Sequence, residues 1–185
     1  MFSMKKMMRS VAAVAALSAV TAAHAADGYF DSSSVEVGGG EHVQVVRLAV
    51  QKDWNKTWLP TSGYHLNGYW DANVAYWRAN QWLDQQGNTK DLAVVGITPV
   101  FRWEADNKLG FYADAGIGAA VFSSVYRNTH RQLSTAFEFA DHVGVGYVFA
   151  NKWELGARLQ HYSNGGIKKP NGGVNLLLLK AAYHY

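Results

Sequence analysis

The 185-residue chain contains no cysteine, which excludes a disulfide scaffold and a thiolate metal site. Its 17 basic residues exceed its 14 acids, but Lys5, Lys6 and Arg9 account for the whole excess. Beyond them the charges balance, so composition gives no support to a nucleic-acid partner.

Residues 1–25 read as a secretory signal cleaved after Ala25. "MFSMKKMMRS" supplies a basic start without acids, "VAAVAALSAVTAA" a short apolar core, and "AHA" at 23–25 small residues at the cleavage positions. That core is too short for a membrane helix, and no later stretch reaches about 18 uninterrupted apolar residues. Residues 26–185 suit one domain with a sizeable core.

Eight strand-like segments follow, at about 32–38, 42–52, 64–82, 91–104, 109–125, 133–149, 153–164 and 174–185. Turn chemistry separates them: "GGGE", "DWNKTWLPTSG", "DQQGNTK", "ADNK", "YRNTHRQ", "ANK" and "NGGIKKPNG" are rich in Gly, Asn, Asp or Pro. Within segments the two faces differ. Val95, Ile97, Phe101 and Trp103 oppose a face ending in Arg102 and Glu104. Phe111, Ala113, Ala115, Ile117, Ala119 and Val121 oppose Tyr112, Asp114 and small residues. Trp153, Leu155, Ala157 and Leu159 oppose Glu154, Arg158 and Gln160.

A soluble sandwich would bury the apolar face, whereas an outer-membrane barrel would turn it to lipid and fill the lumen with the charges. The export signal and the aromatics near segment ends (Trp54, Trp58, Trp82, Trp103, Phe149, Trp153, Tyr183, Tyr185) favour the barrel. So does the aromatic final residue, which resembles the terminal signature of outer-membrane proteins. The expected fold is all-β, an eight-stranded antiparallel transmembrane β-barrel over residues 26–185. Eight strands can close without leaving an edge in lipid. Arg47, Asp71, Arg102, Glu104, Asp114, Glu138, Glu154 and Arg158 then face a lumen just filled by side chains, paired rather than lining a pore.

The same alternation turns His161 and Ser163 outward, with Leu159, near the end of the seventh strand. With both termini periplasmic, the 164–173 loop is extracellular and the pair lies at the outer-leaflet level, where the lipid is lipopolysaccharide. Placing Trp153 opposite Tyr185 sets Ser163 opposite Asn175. An imidazole beside a serine can take its proton and make it a nucleophile. An acyl ester would also need oxyanion donors. Gly165 and Gly166 leave backbone amides accessible, and Asn164 and Asn171 carry side-chain donors. Interfacial trim and an ordinary turn use the same residues.

At this motif, His161-Tyr162-Ser163-Asn164-Gly165-Gly166-Ile167-Lys168-Lys169-Pro170-Asn171-Gly172-Gly173, the sequence resembles the PagL family of outer-membrane lipid A 3-O-deacylases. The resemblance implies metal-free and cofactor-free hydrolysis of the ester-linked 3-hydroxyacyl chain at position 3 of lipid A. It makes Ser163 the nucleophile, His161 the general base, and Gly166 and Asn171 the oxyanion donors. The family pattern has a glutamate twelve residues after the serine; this chain has Asn175. A neutral asparagine can orient the imidazole but cannot stabilise its cation by charge.

A candidate replacement is Asp141. If Phe149 lies opposite Trp153, Asp141 falls opposite His161 on the outward face, whereas a β-bulge in "FADHVG" would turn it into the lumen. His42, His65, His130, His142 and His184 lack the spacing of a transition-metal site, and no acidic loop suits Ca²⁺. Lys168 and Lys169 are placed to meet lipid A phosphates. The expected partners are lipid A in the outer leaflet of the outer membrane, with a second copy of the chain as a candidate. A non-enzymatic structural or adhesion barrel is the alternative reading, and a secreted lipid- or sugar-binding sandwich a third.

Overall fold

The computed structural model describes residues 28–185. The expected signal segment, 1–25, lies outside the described residues. The chain forms β1 (Ser32–Gly40), β2 (Val43–Asp53), β3 (Trp58–Thr61), β4 (Tyr64–Ala79), β5 (Lys90–Ala105), β6 (Gly110–Phe122), β7 (Arg127–Asn128), β8 (Arg131–Gln132), β9 (Phe137–Val148), β10 (Trp153–Ser163) and β11 (Val174–His184). Eight long strands make the wall in the order β2-β1-β11-β10-β9-β6-β5-β4, and β2 pairs with β4 to close it. Every pairing in the wall is antiparallel. Closure leaves no unpaired edge to face hydrocarbon.

The eight expected segments are the eight wall strands. The ends differ where loops compete. Residues 123–136 form a long crossing with the small β7–β8 hairpin, and 58–61 add a short strand beside β4 at the opposite end. Trp82 is not part of a lipid-facing girdle. It packs edge-on to Tyr126 within the loops.

One lateral row fixes the geometry. From Gly40 it passes through Leu176, Gln160, His142, Gly116, Val100 and Tyr69 to Asp53. Gly40 also faces Val43, so the row returns to β2 ten residues further along. A shear of that size in eight strands tilts them about 40° from the barrel axis. The row therefore descends as it leaves β1, from the loop-rich end toward the end that holds both termini.

The lumen has two storeys. At the loop-rich end Trp77, Phe122, Tyr126, Leu133 and Tyr162 form a buried apolar plug, with Trp77 edge-on to Phe122, Tyr126 and Tyr162. Nearer the termini the lumen is ionic. Arg47 pairs with Glu36 and Asp71, while Arg102 pairs with Asp114 and Glu154 at 3.0 Å each. Lys180 reaches Glu154 at 2.7 Å. The expected lumenal charges are all buried. Glu138 departs from the expected pairing and accepts from the Thr135 hydroxyl instead, because its level lies beside the apolar plug.

Candidate active site

The site begins with a residue that faces away from it. Tyr162 is buried, edge-on to Trp77 at 5.1 Å and Phe122 at 5.6 Å. Because side chains alternate along a strand, fixing Tyr162 inward commits His161 and Ser163 to the outer wall. Beneath His161, Gln160 reaches up from the lumen and donates to the Asp141 carbonyl at 2.9 Å. It thereby pins β9 to β10 at the level of the imidazole.

Across the seam with β11, His161 pairs with Asn175, and Nδ1 lies 2.6 Å from Asn175 Oδ1. The expected partner of Asn175 was Ser163. In the structure Trp153 faces Tyr183, and Tyr185 runs on to bond the Asp31 carbonyl. Alternation fixes which face a residue takes, but a two-residue slide leaves every face unchanged. The true register brings the asparagine to the histidine, the arrangement that can orient an imidazole. Gly173 completes the seat. Its φ is +62°, and a Cβ there would sit 2.7 Å from His161 Cε1, so only glycine leaves room for the ring.

Ser163 faces Phe139 across the β9 seam, and its Oγ lies 3.5 Å from the Gly165 amide. No hydrogen bond joins Ser163 to His161 in this conformation; the ring is turned toward β11. Asn164 is fully buried. Its side chain donates to Ser134 Oγ at 3.1 Å and the Lys168 carbonyl at 2.9 Å, and its Oδ1 accepts from the Gly166 amide at 2.9 Å. Asn171 Oδ1 accepts from the Asn164 amide at 3.1 Å, which leaves its Nδ2 as the side-chain donor not used within the loop. Lys168 and Lys169 are exposed above.

Asp141 faces His161 in direct register, and no bulge interrupts β9 there. It takes the outward side with Phe139 and Val143, not the lumenal one. Its Oδ1 is buried without a hydrogen-bond partner, so the carboxylate stands one strand from the imidazole and uncommitted. Among the described residues there is no cluster of three or more His, Asp or Glu able to hold a metal ion. The sequence pattern pointed to no role for Gly173 or Gln160. Gly173 was hidden among turn glycines, and Gln160 shares its inward parity with every other lumenal polar residue.

A closed barrel, apolar outside and ionic within, is an outer-membrane protein, and this one carries a His–Asn pair and a serine on its outer wall. Residues 44–184 match the family described as Lipid A 3-O-deacylase (PagL). The chain is 37% identical over 153 residues to the lipid A deacylase PagL of Pseudomonas aeruginosa, covering 82% of this chain and 84% of that one. It is 32% identical over 160 residues to the lipid A deacylase PagL of Bordetella bronchiseptica, covering 82% of each. The crystal structure of the outer membrane enzyme PagL superposes with a TM-score of 0.71 at 32% identity, covering 83% of this chain and 99% of that one. The chain belongs to the PagL family.

Proposed function

We propose that this protein hydrolyses the ester-linked 3-hydroxyacyl chain at position 3 of lipid A, working from the outer leaflet. In bacterial outer-membrane barrels the short turns face the periplasm and the longer loops the exterior. That orientation sets the 164–173 loop, Ser163 and His161 at the level of lipopolysaccharide.

The observation that carries the reading is the 2.6 Å contact between His161 Nδ1 and Asn175 Oδ1 on a lipid-facing wall. With an oxygen facing it, Nδ1 carries the proton, and Nε2 keeps its lone pair for the proton of Ser163. Ser163 and His161 share the outer face two residues apart, and serine–imidazole contacts commonly tighten only around substrate. Ser163 Oγ then attacks the ester carbonyl, and the Asn171 side-chain amide receives the oxyanion; the Gly166 N–H, the other expected donor, is engaged by Asn164 Oδ1 in this conformation. His161 passes its proton to the departing sugar oxygen. Water, deprotonated by the same imidazole, releases the acyl chain and restores the serine. Asn164 acts as the brace that shapes this loop, since its own amide is spent inside it. Asp141 supplies negative charge one strand from the imidazole, in place of the carboxylate that Asn175 lacks.

Mass spectrometry of lipid A from cells expressing the wild-type chain or Ser163→Ala tests the proposal. The expected result is loss of one 3-hydroxyacyl mass in the wild type alone. Unchanged lipid A alongside a folded wild-type barrel would sink it and favour a non-enzymatic barrel.

A further inference from the structure

The crossing between β6 and β9, residues 123–136, lies against the site loop, 164–173, and is tied to it at two points. Near the end of the site loop the Gly172 amide donates to the Gln132 carbonyl at 2.9 Å, and Arg131 Nη1 donates to the Gly172 carbonyl at 3.1 Å. At its start the tie is a closed ring of three hydrogen bonds. The Ser134 hydroxyl donates to the Lys168 carbonyl at 2.8 Å. The Asn164 side-chain amide donates to that same carbonyl at 2.9 Å and to Ser134 Oγ at 3.1 Å.

The crossing can act as a template because the barrel holds it. Leu133 is buried in the lumenal plug, and its amide donates to the Tyr126 carbonyl at 2.9 Å. The next residue, Ser134, is left half-buried against the site loop.

Asn164 directly follows Ser163 and is fully buried, so both hydrogens of its side-chain amide need acceptors. Ser134 Oγ and the Lys168 carbonyl are those acceptors. They decide which way the amide faces, with Oδ1 turned to the Gly166 N–H. The Asn164 backbone N–H then engages Asn171 Oδ1, which leaves Asn171 Nδ2 for the oxyanion.

We infer that Ser134 is a positioning residue for the ester hydrolysis: acting through Asn164, it sets the place of Ser163 and of the Asn171 donor. The inference rests on the lipid A hydrolysis proposed above. An alanine at this position removes an acceptor and a donor together. One buried Asn164 N–H is then left without a partner, and the loop relieves it by shifting. An oxyanion donor works in the transition state, so displacing it lowers kcat and leaves KM near its value.

Two measurements on the full barrel in lipid vesicles test this. The first is lipid A deacylation. Deleting an oxyanion donor costs about 10²–10³ in turnover, so Ser134→Ala, which displaces one, should lower kcat about 10- to 100-fold. KM should move by less than about threefold, and Ser134→Thr, which keeps the hydroxyl, should recover most of the loss. The second is amide hydrogen exchange, which needs no turnover. Ser134→Ala should quicken exchange across 164–172 by about tenfold or more and leave β9, β10 and β11 as protected as in the wild type. Loop exchange as slow as in the wild type, or kcat within about twofold of it, would overturn the inference. So would a loss of protection shared by the strands, which would make Ser134 a residue of general stability. Quickened exchange confined to the loop, in a protein whose wild type releases no acyl chain, would uphold Ser134 as the loop's tether and reject the hydrolysis.

Discussion

Asn175 is where this chain parts from its family's pattern, and its neighbours define what that departure costs. An amide oxygen 2.6 Å from Nδ1 holds the correct tautomer, so orientation is retained and only charge is lost. In a serine protease, an asparagine in place of the triad aspartate gives the wrong tautomer and costs about 10⁴ in turnover. Here the loss should be smaller. Asn175→Glu is expected to raise deacylation by roughly ten- to a thousandfold, within that bound. If Asp141 supplies charge to the imidazolium, Asp141→Asn will slow the native chain more than it slows the Asn175→Glu variant. The four rates form a double-mutant cycle. An unchanged rate on Asp141→Asn in the native chain would remove Asp141 from the mechanism, and equal slowing in both backgrounds would show that it does not stand in for the charge missing at residue 175.

At the scale of strands and loops, what could be read in advance was parity, and what could not was sliding. Alternation in "KWELGARLQHYSN" placed His161 and Ser163 on the outer wall, and the short "ANK" turn set Asp141 opposite His161. The long loop after Ser163 left the β10–β11 register free by two residues, so the histidine–asparagine pair emerged only from the fold. Loop contacts were equally hidden because they join distant segments. The β1–β2 turn is tied to the 123–136 crossing through Glu41, which accepts from His130 Nδ1 at 3.0 Å and Arg131 Nε at 3.1 Å. Arg131 in turn donates to the Gly172 carbonyl at 3.1 Å, beside the site loop. Those donors hold the Glu41 carboxyl below its ordinary value. A carboxylate with a lowered pKa contributes its tie fully above the ordinary glutamate range and loses it as pH falls through the lowered value. A nitroxide at Thr129 should therefore be restrained at neutral pH and gain mobility on acidification below the ordinary glutamate range. Glu41→Gln should show the mobile spectrum at every pH; identical spectra for both chains would dissolve the clasp.

For the barrel as a whole, the decisive contrast is between a lumen that is packed and one that is merely polar. The sequence pattern supplied a charged inner face but not its division into an aromatic plug and an ionic storey, since that division depends on shear, which no single strand encodes. Arg102 makes the contrast measurable. It spans Asp114 and Glu154 at 3.0 Å each, and its guanidinium lies 3.7 Å from the Tyr112 ring centroid. Removing one partner from a buried network strands the opposite charges, at a cost of about 3–5 kcal/mol. Arg102→Met should therefore lower the urea midpoint of the lipid-embedded barrel, followed by its heat-modifiable migration. Adding Asp114→Asn should recover part of the loss. Glu154 retains Lys180 at 2.7 Å and His184 at 2.8 Å, so Asp114 is the group left without its principal cation. In a lumen open to water the stranded carboxylates would be hydrated, and Arg102→Met would cost less than about 1 kcal/mol, as for exposed pairs. A large loss with partial rescue identifies a solid barrel, whose rigid inner packing is what holds His161 and Asn175 in register on the outside.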